Sequence, residues 1–240
     1  MSSSVQRKRI RKSPEARRAE IVDAAAAVAL TEGLECVTLR RIADELVVRP
    51  GLISHYFPSV EDLVAEAFGN AVGAELDALL PSEPTEGIAP TRELARFLAR
   101  TSGDAYDAIS RLWINARHLS RYRPVLRERV AEQEAAWRGR LEALLRRGIE
   151  RGEFRADDPY VTTIRILVVL DGLGAHANTD TSNRPEAVTR MAVTTAEREL
   201  GLPPDALLDT PSTRTRTGDG GSTQTRTGDA AAAEPSAATD

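Results

Sequence analysis

The chain has 240 residues, 41% of them hydrophobic and 28% charged, with a net charge of −4 and ten aromatic side chains. No apolar run reaches the ~20 residues that a membrane-crossing helix needs, and the basic first residues are not followed by the apolar stretch of a signal peptide, so we expect a cytoplasmic protein without a membrane partner. A single cysteine, Cys36, and three histidines exclude a disulfide framework and a zinc-type cluster, and predict no metal and no cofactor.

Charge is distributed unevenly along the chain. Residues 1–18 contain seven Lys or Arg and one acid, and residues 1–58 carry ten basic against seven acidic side chains, a balance of +3. Residues 59–240 therefore carry −7. A positive N-terminal segment attracts a polyanion, while an acidic remainder discourages non-specific coating of nucleic acid. On charge alone, a solvated basic tail explains residues 1–12 equally well.

Three helices are predicted in the first 58 residues. A Ser-Pro-Glu start and apolar residues at helical spacing predict the first helix over about 14–32. The second is predicted over 38–46, with Thr38 as its cap and apolar residues at i, i+3, i+4 and i+7. After a three-residue turn, Pro50 begins a third helix that ends at about residue 57.

The second and third helices form a helix-turn-helix pattern. The second helix hides one apolar face, and Val48 and Ile53 close the angle between the helices, which leaves the opposite face of the third helix polar. Its outward side chains offer hydrogen-bond donors to phosphates or base edges, and a Pro-Gly pair lets the backbone approach closely. The candidate DNA-binding residues of this face are Arg49, Pro50, Gly51, Ser54, His55 and Tyr56. For His55 the alternative is a helix-end histidine without a partner.

The remainder is predicted to be helical to about residue 201. A long helix over 59–80 precedes a proline-rich loop, and further helices are predicted at 91–102, 104–121, 124–151, 158–177 and 184–200. None of these segments shows the period-two alternation of a strand, so the predicted fold class is all-α. Residues 209–240 contain no Val, Ile, Leu, Met, Phe, Trp, Tyr or Cys and are predicted to be a disordered tail.

The stretch VTLRRIADELVVRPGLISHYFPSVEDLVAEAF, residues 37–68, resembles the DNA-binding signature of the TetR family of bacterial transcriptional repressors. Within it, ISHYF resembles the choline-responsive BetI-type branch. The distal half resembles the family only loosely, through Trp113, Pro124 and GEFRADDPY at 152–160. The resemblance implies an all-helical homodimer that binds double-stranded DNA. It also implies phosphate contacts by Thr38, Arg40 and Tyr56, with Arg49, Ser54 and His55 nearest the bases.

Two positions depart from the family's pattern. Val47 stands where the family usually has glycine in the turn, and a β-branched residue forced to positive φ is strained, so we expect a slightly remodelled turn. Val60 stands where the family often has lysine at the start of the fourth helix. One phosphate contact is then missing, and the basic residues at 7–12 could replace it.

Two further sites are predicted in the distal half. A small-molecule effector pocket is predicted from Phe97, Tyr106, Trp113, Arg117, His118, Tyr122 and Trp137, with core packing as the alternative for each. An apolar run followed by small residues in 161–177 predicts a homodimer interface, with an ordinary buried helix as the alternative. Its candidate residues are Ile164, Val168, Asp171, Gly172, Ala175 and Met191.

These patterns together predict a ligand-responsive repressor that binds a palindromic operator as a homodimer and is released by a small-molecule effector of unknown identity. The predicted parts are a basic disordered arm (1–12), a helix-turn-helix domain (13–58), a helical effector-binding and dimerisation domain (59–208) and the tail (209–240). No nucleotide-binding, zinc-protease or serine-hydrolase motif occurs, so we expect no enzyme. A helical ligand-binding or scaffold protein without DNA binding stays open, as does, more remotely, an enzyme of unknown reaction. Cys36 is predicted to be a packing residue rather than a redox sensor.

Overall fold

A computed structural model describes residues 12–83, 86–101, 104–179 and 185–208, and of residues 104–106 only the backbone. Within these ranges the chain forms ten α-helices, one 3-10 turn (Leu34–Cys36) and no strand, which confirms the all-α class. The helices are α1 (Pro14–Glu32), α2 (Leu39–Glu45), α3 (Pro50–Tyr56), α4 (Val60–Leu79), α5 (Pro90–Arg100), α6 (Asp104–Leu119), α7 (Pro124–Glu150), α8 (Pro159–Ala177), α9 (Glu186–Thr189) and α10 (Met191–Glu199). The predicted arm, apart from Lys12, and the predicted tail lie outside the described residues.

Capping residues and prolines set the helix starts. The hydroxyl oxygens of Ser13, Thr38 and Ser59 accept hydrogen bonds of 3.0–3.2 Å from backbone N–H groups in the first turns of α1, α2 and α4. Proline stands in the first turn of α1, α3, α5, α7 and α8, where its missing N–H leaves no intrahelical bond unmade. Because these signals are local, α1 to α8 agree with the predicted ranges to within two residues at each end.

The prediction of one helix over 184–200 is wrong. The chain instead forms the short helix α9 and the separate helix α10, with a break at Arg190 (φ −86°, ψ 1°). At the break the Thr189 hydroxyl donates to the Glu186 carbonyl at 2.9 Å, a local bond that competes with continued helix. The Arg190 guanidinium also pairs with Asp205, beyond the end of α10. Tertiary contacts of this kind cannot be read from helical periodicity.

α4 is the central helix of the described chain. It packs against α1 on one side and against α7 on the other. Its buried residues are Leu63, Val64, Ala65, Ala67, Phe68, Ala71, Val72, Leu76 and Leu79. Through them the apolar residues of the helix-turn-helix, such as Ile42 and Ile53, join those of the distal helices, such as Leu94 and Leu141, in one continuous core. A shift of the distal helices against α4 can therefore reach the DNA-binding bundle.

α8 is the most apolar long helix. An 18-residue window of it has a mean hydropathy of 1.2, so by length and composition alone it could cross a membrane, although Arg165 and Asp171 interrupt it. Core helices of soluble proteins share this property, but here only 28% of the window is buried within the chain. The helix therefore leaves an apolar face uncovered.

The turn between α2 and α3 keeps the hydrogen-bond pattern of a glycine-terminated helix, with valine in the glycine position. Val47 has φ +53°, in the left-handed region. The N–H groups of Val47 and Val48 donate to the carbonyls of Asp44 and Ala43 at 3.2 and 2.9 Å, the paired bonds of a Schellman motif. The expected remodelling of the turn is therefore not observed, and the strain of a β-branched residue at positive φ is retained.

We predict that Val47→Gly stabilises the protein. The left-handed conformation costs an L-residue about 1–2 kcal/mol, whereas glycine adopts it freely at an entropic cost of about 0.5–1 kcal/mol. Val47 is 84% exposed, so its removal sacrifices almost no packing. The free energy of unfolding in urea should rise by about 0.5–1 kcal/mol.

Val125→Gly is the control for this prediction, because Val125 is partly exposed and lies inside α7 at ordinary helical φ. There glycine lowers stability. A loss of stability in Val47→Gly would show that the turn stores no strain.

Candidate DNA-binding face and effector groove

The outer face of α3, which we call the recognition face, is polar and open. Arg49, Gly51, Ser54 and His55 are exposed, and Tyr56 is half-buried against the core. Behind them Ile53 is fully buried, and the helix lies on α2 through it. The amphipathic division expected of a recognition helix is thus present, with the polar side free to contact a ligand.

The backbone at the start of α3 is accessible. A Cβ atom built on Gly51 would meet no atom within 4 Å, so neither packing nor positive φ requires glycine there. Pro50 occupies the first helical position and is also exposed. Glycine lowers helix stability, and its presence in so short a helix is explained if another molecule approaches the backbone closely.

The side chains of the recognition face have few internal partners. The Ser54 hydroxyl donates to the Pro50 carbonyl at 3.1 Å, so its oxygen remains available as an acceptor. The His55 ring lies edge-on to the Tyr56 ring, with centroids 5.3 Å apart. Arg49 makes no ion pair within the described ranges. These groups can therefore turn towards phosphates and base edges without breaking a salt bridge.

Arg40 and Arg41 have opposite environments although they are adjacent. The Arg41 guanidinium binds Glu32 at 2.6 Å and Glu45 at 2.7 Å, and its hydrogen bond to Glu32 lowers the pKa of that carboxyl. Arg40 is exposed and forms no ion pair with any residue that the structure describes. Beside it Thr38 is exposed as well, with its hydroxyl oxygen capping α2 and its O–H free to donate. Of the two arginines, Arg40 is the one available for phosphate.

The other cations of the described N-terminal residues, from Lys12 to Arg18, are paired. Lys12 and Arg17 both bind Glu20, at 2.8 and 2.5 Å. Arg18 pairs with Glu66 of α4, and its guanidinium lies 4.7 Å from the centre of the Phe57 ring. The Arg18 contact fastens α1 to α4, whereas Lys12 and Arg17 are neutralised by an acid of α1 itself.

A groove of about 220 Å³ lies between α6, α7 and α8. The indoles of Trp113 and Trp137 form part of its wall, and both residues are almost fully buried. The indole N–H of Trp137 is buried without a hydrogen-bond partner. A buried donor without an acceptor lowers the stability of the folded chain.

Arg117 places a positive charge inside this groove. Its guanidinium lies 4.9 Å from the centre of the Trp113 ring and binds Glu134 at 3.0 Å and Asp171 at 2.9 Å. Burial lowers the pKa of Arg117, but the hydrogen bonds and charges of Asp171 and Glu134 outweigh it and raise the pKa overall. An aromatic face flanked by two carboxylates is a typical site for an organic cation, and the chain occupies it with its own side chain.

The structure separates the residues predicted for the effector pocket. Trp113, Arg117 and Trp137 line the groove. Phe97 is fully buried behind Trp137, with ring centroids 6.5 Å apart. His118, near the end of α6, and Tyr122, in the turn after it, contact each other edge to face outside the groove, with Tyr122 73% exposed. The side chain of Tyr106 lies outside the described residues.

The residues predicted for a dimer interface lie on the open face of α8 and beside it. Val168 is 62% exposed, Gly172 and Ala175 are exposed, and Met191 of α10 is 42% exposed. Three of the predicted residues, Ile164, Val168 and Asp171, also line the effector groove. The groove and the open face of α8 are thus continuous.

One contact that periodicity did not indicate links the groove to the DNA-binding bundle. The Asn115 side chain, on α6, accepts from the Leu34 N–H at 2.9 Å and donates to the Glu35 carboxylate at 2.8 Å. Leu34 and Glu35 form the 3-10 turn, three residues before the cap of α2. On the same helix the Trp113 ring meets Phe68 of α4 edge to face at 5.1 Å. Asn115 lies about 80 residues after Leu34 and Glu35 in the sequence, so no local sequence pattern predicts this contact.

Two family models match the sequence. Residues 21–67 match the model for bacterial regulatory proteins of the tetR family, and residues 90–201 match that for the C-terminal domain of BetI-type transcriptional repressors. The two matches include α2, α3 and the whole of the effector groove. A search of curated protein sequences finds no match.

Solved structures share the fold at low sequence identity. A Rhodococcus sp. protein described as a TetR-family transcriptional regulator is 21% identical, with a TM-score of 0.65 over 77% of this chain and 98% of that one. A transcriptional regulator from Saccharomonospora viridis, in complex with choline, has the same identity and TM-score over 77% and 97%. Salmonella enterica GusR is 21% identical, with a TM-score of 0.62 over 79% and 98%.

We predict that Gly51→Ala separates stability from DNA binding. The new methyl group meets no atom of the chain and improves helix propensity, so the free energy of unfolding should rise by about 0.5–1 kcal/mol. Affinity for DNA should fall about tenfold or more, because the methyl group stands between the backbone and the groove.

Gly139→Ala is the matched control, since Gly139 of α7 is also helical, exposed and open around its Cβ position. It should raise stability without changing DNA affinity. Equal DNA affinity for Gly51→Ala and the wild type would mean that the start of α3 does not approach DNA.

Proposed function

The chain belongs to the TetR family of bacterial transcriptional regulators, which are ligand-responsive DNA-binding proteins, and on that basis we propose that it is a repressor that binds a palindromic operator as a homodimer and leaves it when a small organic cation enters the groove. The observation that carries the proposal is the unpaired, polar recognition face of α3. In this proposal the protein acts in the cytoplasm and catalyses no reaction of its own.

The recognition face supports specific binding rather than charge attraction alone. In this proposal Thr38, Arg40 and Tyr56 fix the bundle on the phosphates. Arg49, Ser54 and His55 read the base edges, where an arginine fork discriminates guanine best. The overall charge of −4 limits non-specific binding, so the contacts of this face must supply most of the affinity.

The open face of α8 supports a homodimer. Val161, Val168 and Gly172 recur at helical spacing on a surface that nothing in the described chain covers, and Met191 of α10 extends it. A symmetric pairing of two such faces would bury the apolar stripe, and small residues would let the helices approach closely. A dimer then presents two recognition helices, which must stand ~34–36 Å apart to enter successive major grooves.

The groove supports a cationic effector. Choline is bound in the Saccharomonospora viridis neighbour, and the C-terminal family model is BetI-type. In this chain the cation site, Trp113 with Glu134 and Asp171, is filled by the Arg117 guanidinium. We propose that the effector takes the place of the Arg117 guanidinium on the Trp113 ring.

Displacement of Arg117 would release α6 from two helices at once, because its ion pairs reach α7 through Glu134 and α8 through Asp171. α6 contacts the DNA-binding bundle through Asn115 and α4 through Trp113. The groove has no lining residue from α4, so in this proposal α6 transmits the signal and α4 carries it to the bundle as a rod of ~30 Å. The effector changes DNA affinity only by favouring one spacing of the two bundles.

We predict that choline weakens binding of the protein to its palindromic operator, in the DNA upstream of its own gene, by about 5–150-fold, the usual range of allosteric coupling. Binding to an isolated half of that palindrome should weaken by less than about twofold. Each half-site contact survives, but the two bundles no longer dock together and avidity is lost. Fluorescence anisotropy with full-site and half-site duplexes, at several salt concentrations, measures both effects.

Equal weakening at the half-site would contradict a change of spacing and indicate local distortion of residues 38–57. If the protein protects no palindrome in its upstream DNA, and its DNA affinity depends only weakly on salt concentration, the alternative of a helical ligand-binding or scaffold protein is favoured.

We predict that Arg117→Gln binds choline about tenfold more tightly than the wild type. The substitution removes the internal cation that competes for the Trp113 face and for two carboxylates. Isothermal titration calorimetry measures the affinity, and thermal unfolding checks that the variant is folded.

Arg121→Gln is the control, since Arg121 is exposed, makes no ion pair within the described ranges and loses the same charge. Its choline affinity should stay at the wild-type value. Equal or weaker choline binding by Arg117→Gln would contradict the replacement of the Arg117 guanidinium by the effector.

A further inference from the structure

A second cavity, of about 450 Å³, lies at the C-terminal end of α4 between α5 and α7. Four arginines surround it: Arg96 and Arg100 on one face of α5, and Arg140 and Arg147 on one face of α7. It shares no lining residue with the effector groove.

Three of these arginines already have structural contacts. Arg100 donates to the Ala78 carbonyl at 2.7 Å, and Arg140 donates to the Leu80 carbonyl at 2.6 Å and to Asp77 at 2.9 Å. They satisfy carbonyl groups at the end of α4, which a helix leaves without partners. Arg147 pairs with Glu93.

Arg96 has no such role. It is exposed, lines the cavity, and forms no hydrogen bond or ion pair with any residue in the described ranges. Arg100 has a carbonyl partner but no carboxylate. Two guanidinium groups one helical turn apart on α5 therefore carry charge that no acid of the described chain neutralises.

The charge around the cavity is positive although the chain as a whole is acidic. Four arginines face the two lining acids Glu83 and Glu93, and Asp77 adds a third beside Arg140. The balance of four positive and three negative groups is +1, against −4 for the chain. Each guanidinium has five N–H donors, and the contacts above use only one or two of them, so most donors remain free.

We propose that this cavity binds a small anion with at least two negative charges, held through phosphate or carboxylate oxygens by Arg96 and Arg100 of α5 and by Arg147 of α7. The planar forks of arginine match both kinds of oxygen group, and the volume admits a molecule larger than inorganic phosphate. The bound anion ties α5 to α7 directly under the end of α4. It thereby fixes the end of the helix that carries the DNA-binding bundle.

Titration calorimetry tests the proposal on the full-length protein, with citrate and glycerol 3-phosphate as separate probes and sodium chloride adjusted to constant ionic strength. We expect one site per chain for at least one probe, and the probe that binds more tightly distinguishes a carboxylate ligand from a phosphate ligand. Arg96→Gln should weaken binding about tenfold, because one charge-assisted hydrogen bond is lost. The affinity of Arg96→Lys should lie between those of the wild type and Arg96→Gln.

Arg111→Gln is the matched control, because Arg111 is exposed and unpaired among the described residues and lies on α6 away from the cavity. It should bind each probe as the wild type does. Multivalent anions also stabilise proteins generally by exclusion from the surface, an effect that does not depend on Arg96. Failure of both probes to bind, equal binding by Arg96→Gln, or an equal loss in Arg111→Gln would overturn the proposal.

Discussion

α4 must bury two faces at once, and the rest of the structure depends on this. One face packs on the alanine-rich side of α1 and the other on α7, and the small residues Ala67 and Ala71 let the helices approach closely. Ser59 caps the start of α4, whereas arginines from α5 and α7 hold the carbonyls at its end. Because the helix is fixed by neighbours along its length, it moves only when they move. A ligand that never contacts α4 can then still displace the bundle.

Ion pairing, rather than net charge, determines which cations remain for DNA. The net charge of +3 for residues 1–58 counts every basic side chain alike. Within the described part of that segment, however, carboxylates bind Lys12, Arg17, Arg18 and Arg41. Arg40 and Arg49 have no ion-pair partner there. Pairing thus leaves positive charge at the start of α2 and of α3, where a recognition element needs it. The effector groove shows the opposite arrangement, since its carboxylates are neutralised by Arg117.

Local signals in the sequence predicted most of the helices, because a cap or a proline acts within one turn. They also predicted the polar outer face of α3, but they wrongly predicted a remodelled turn at Val47, which keeps φ +53°. They could not predict the break at Arg190, which involves Asp205, or the difference between Arg40 and Arg41, which is made by Glu32. Of the residues predicted for an effector pocket, Trp113, Arg117 and Trp137 line one groove, but the acids that hold Arg117 come from two other helices. Such partners are brought together by tertiary packing, which leaves no periodic pattern in a single sequence.

The distribution of the rarest side chains makes this protein convenient for spectroscopy. Both tryptophans of the sequence line the groove between α6, α7 and α8, so changes in tryptophan fluorescence come from that site alone. The one cysteine, Cys36, is partly exposed in the 3-10 turn directly before α2. In the proposed homodimer, a probe attached there places one label on each helix-turn-helix bundle. Ligand occupancy and the separation of the bundles can therefore be followed in the same sample, without introducing a single substitution.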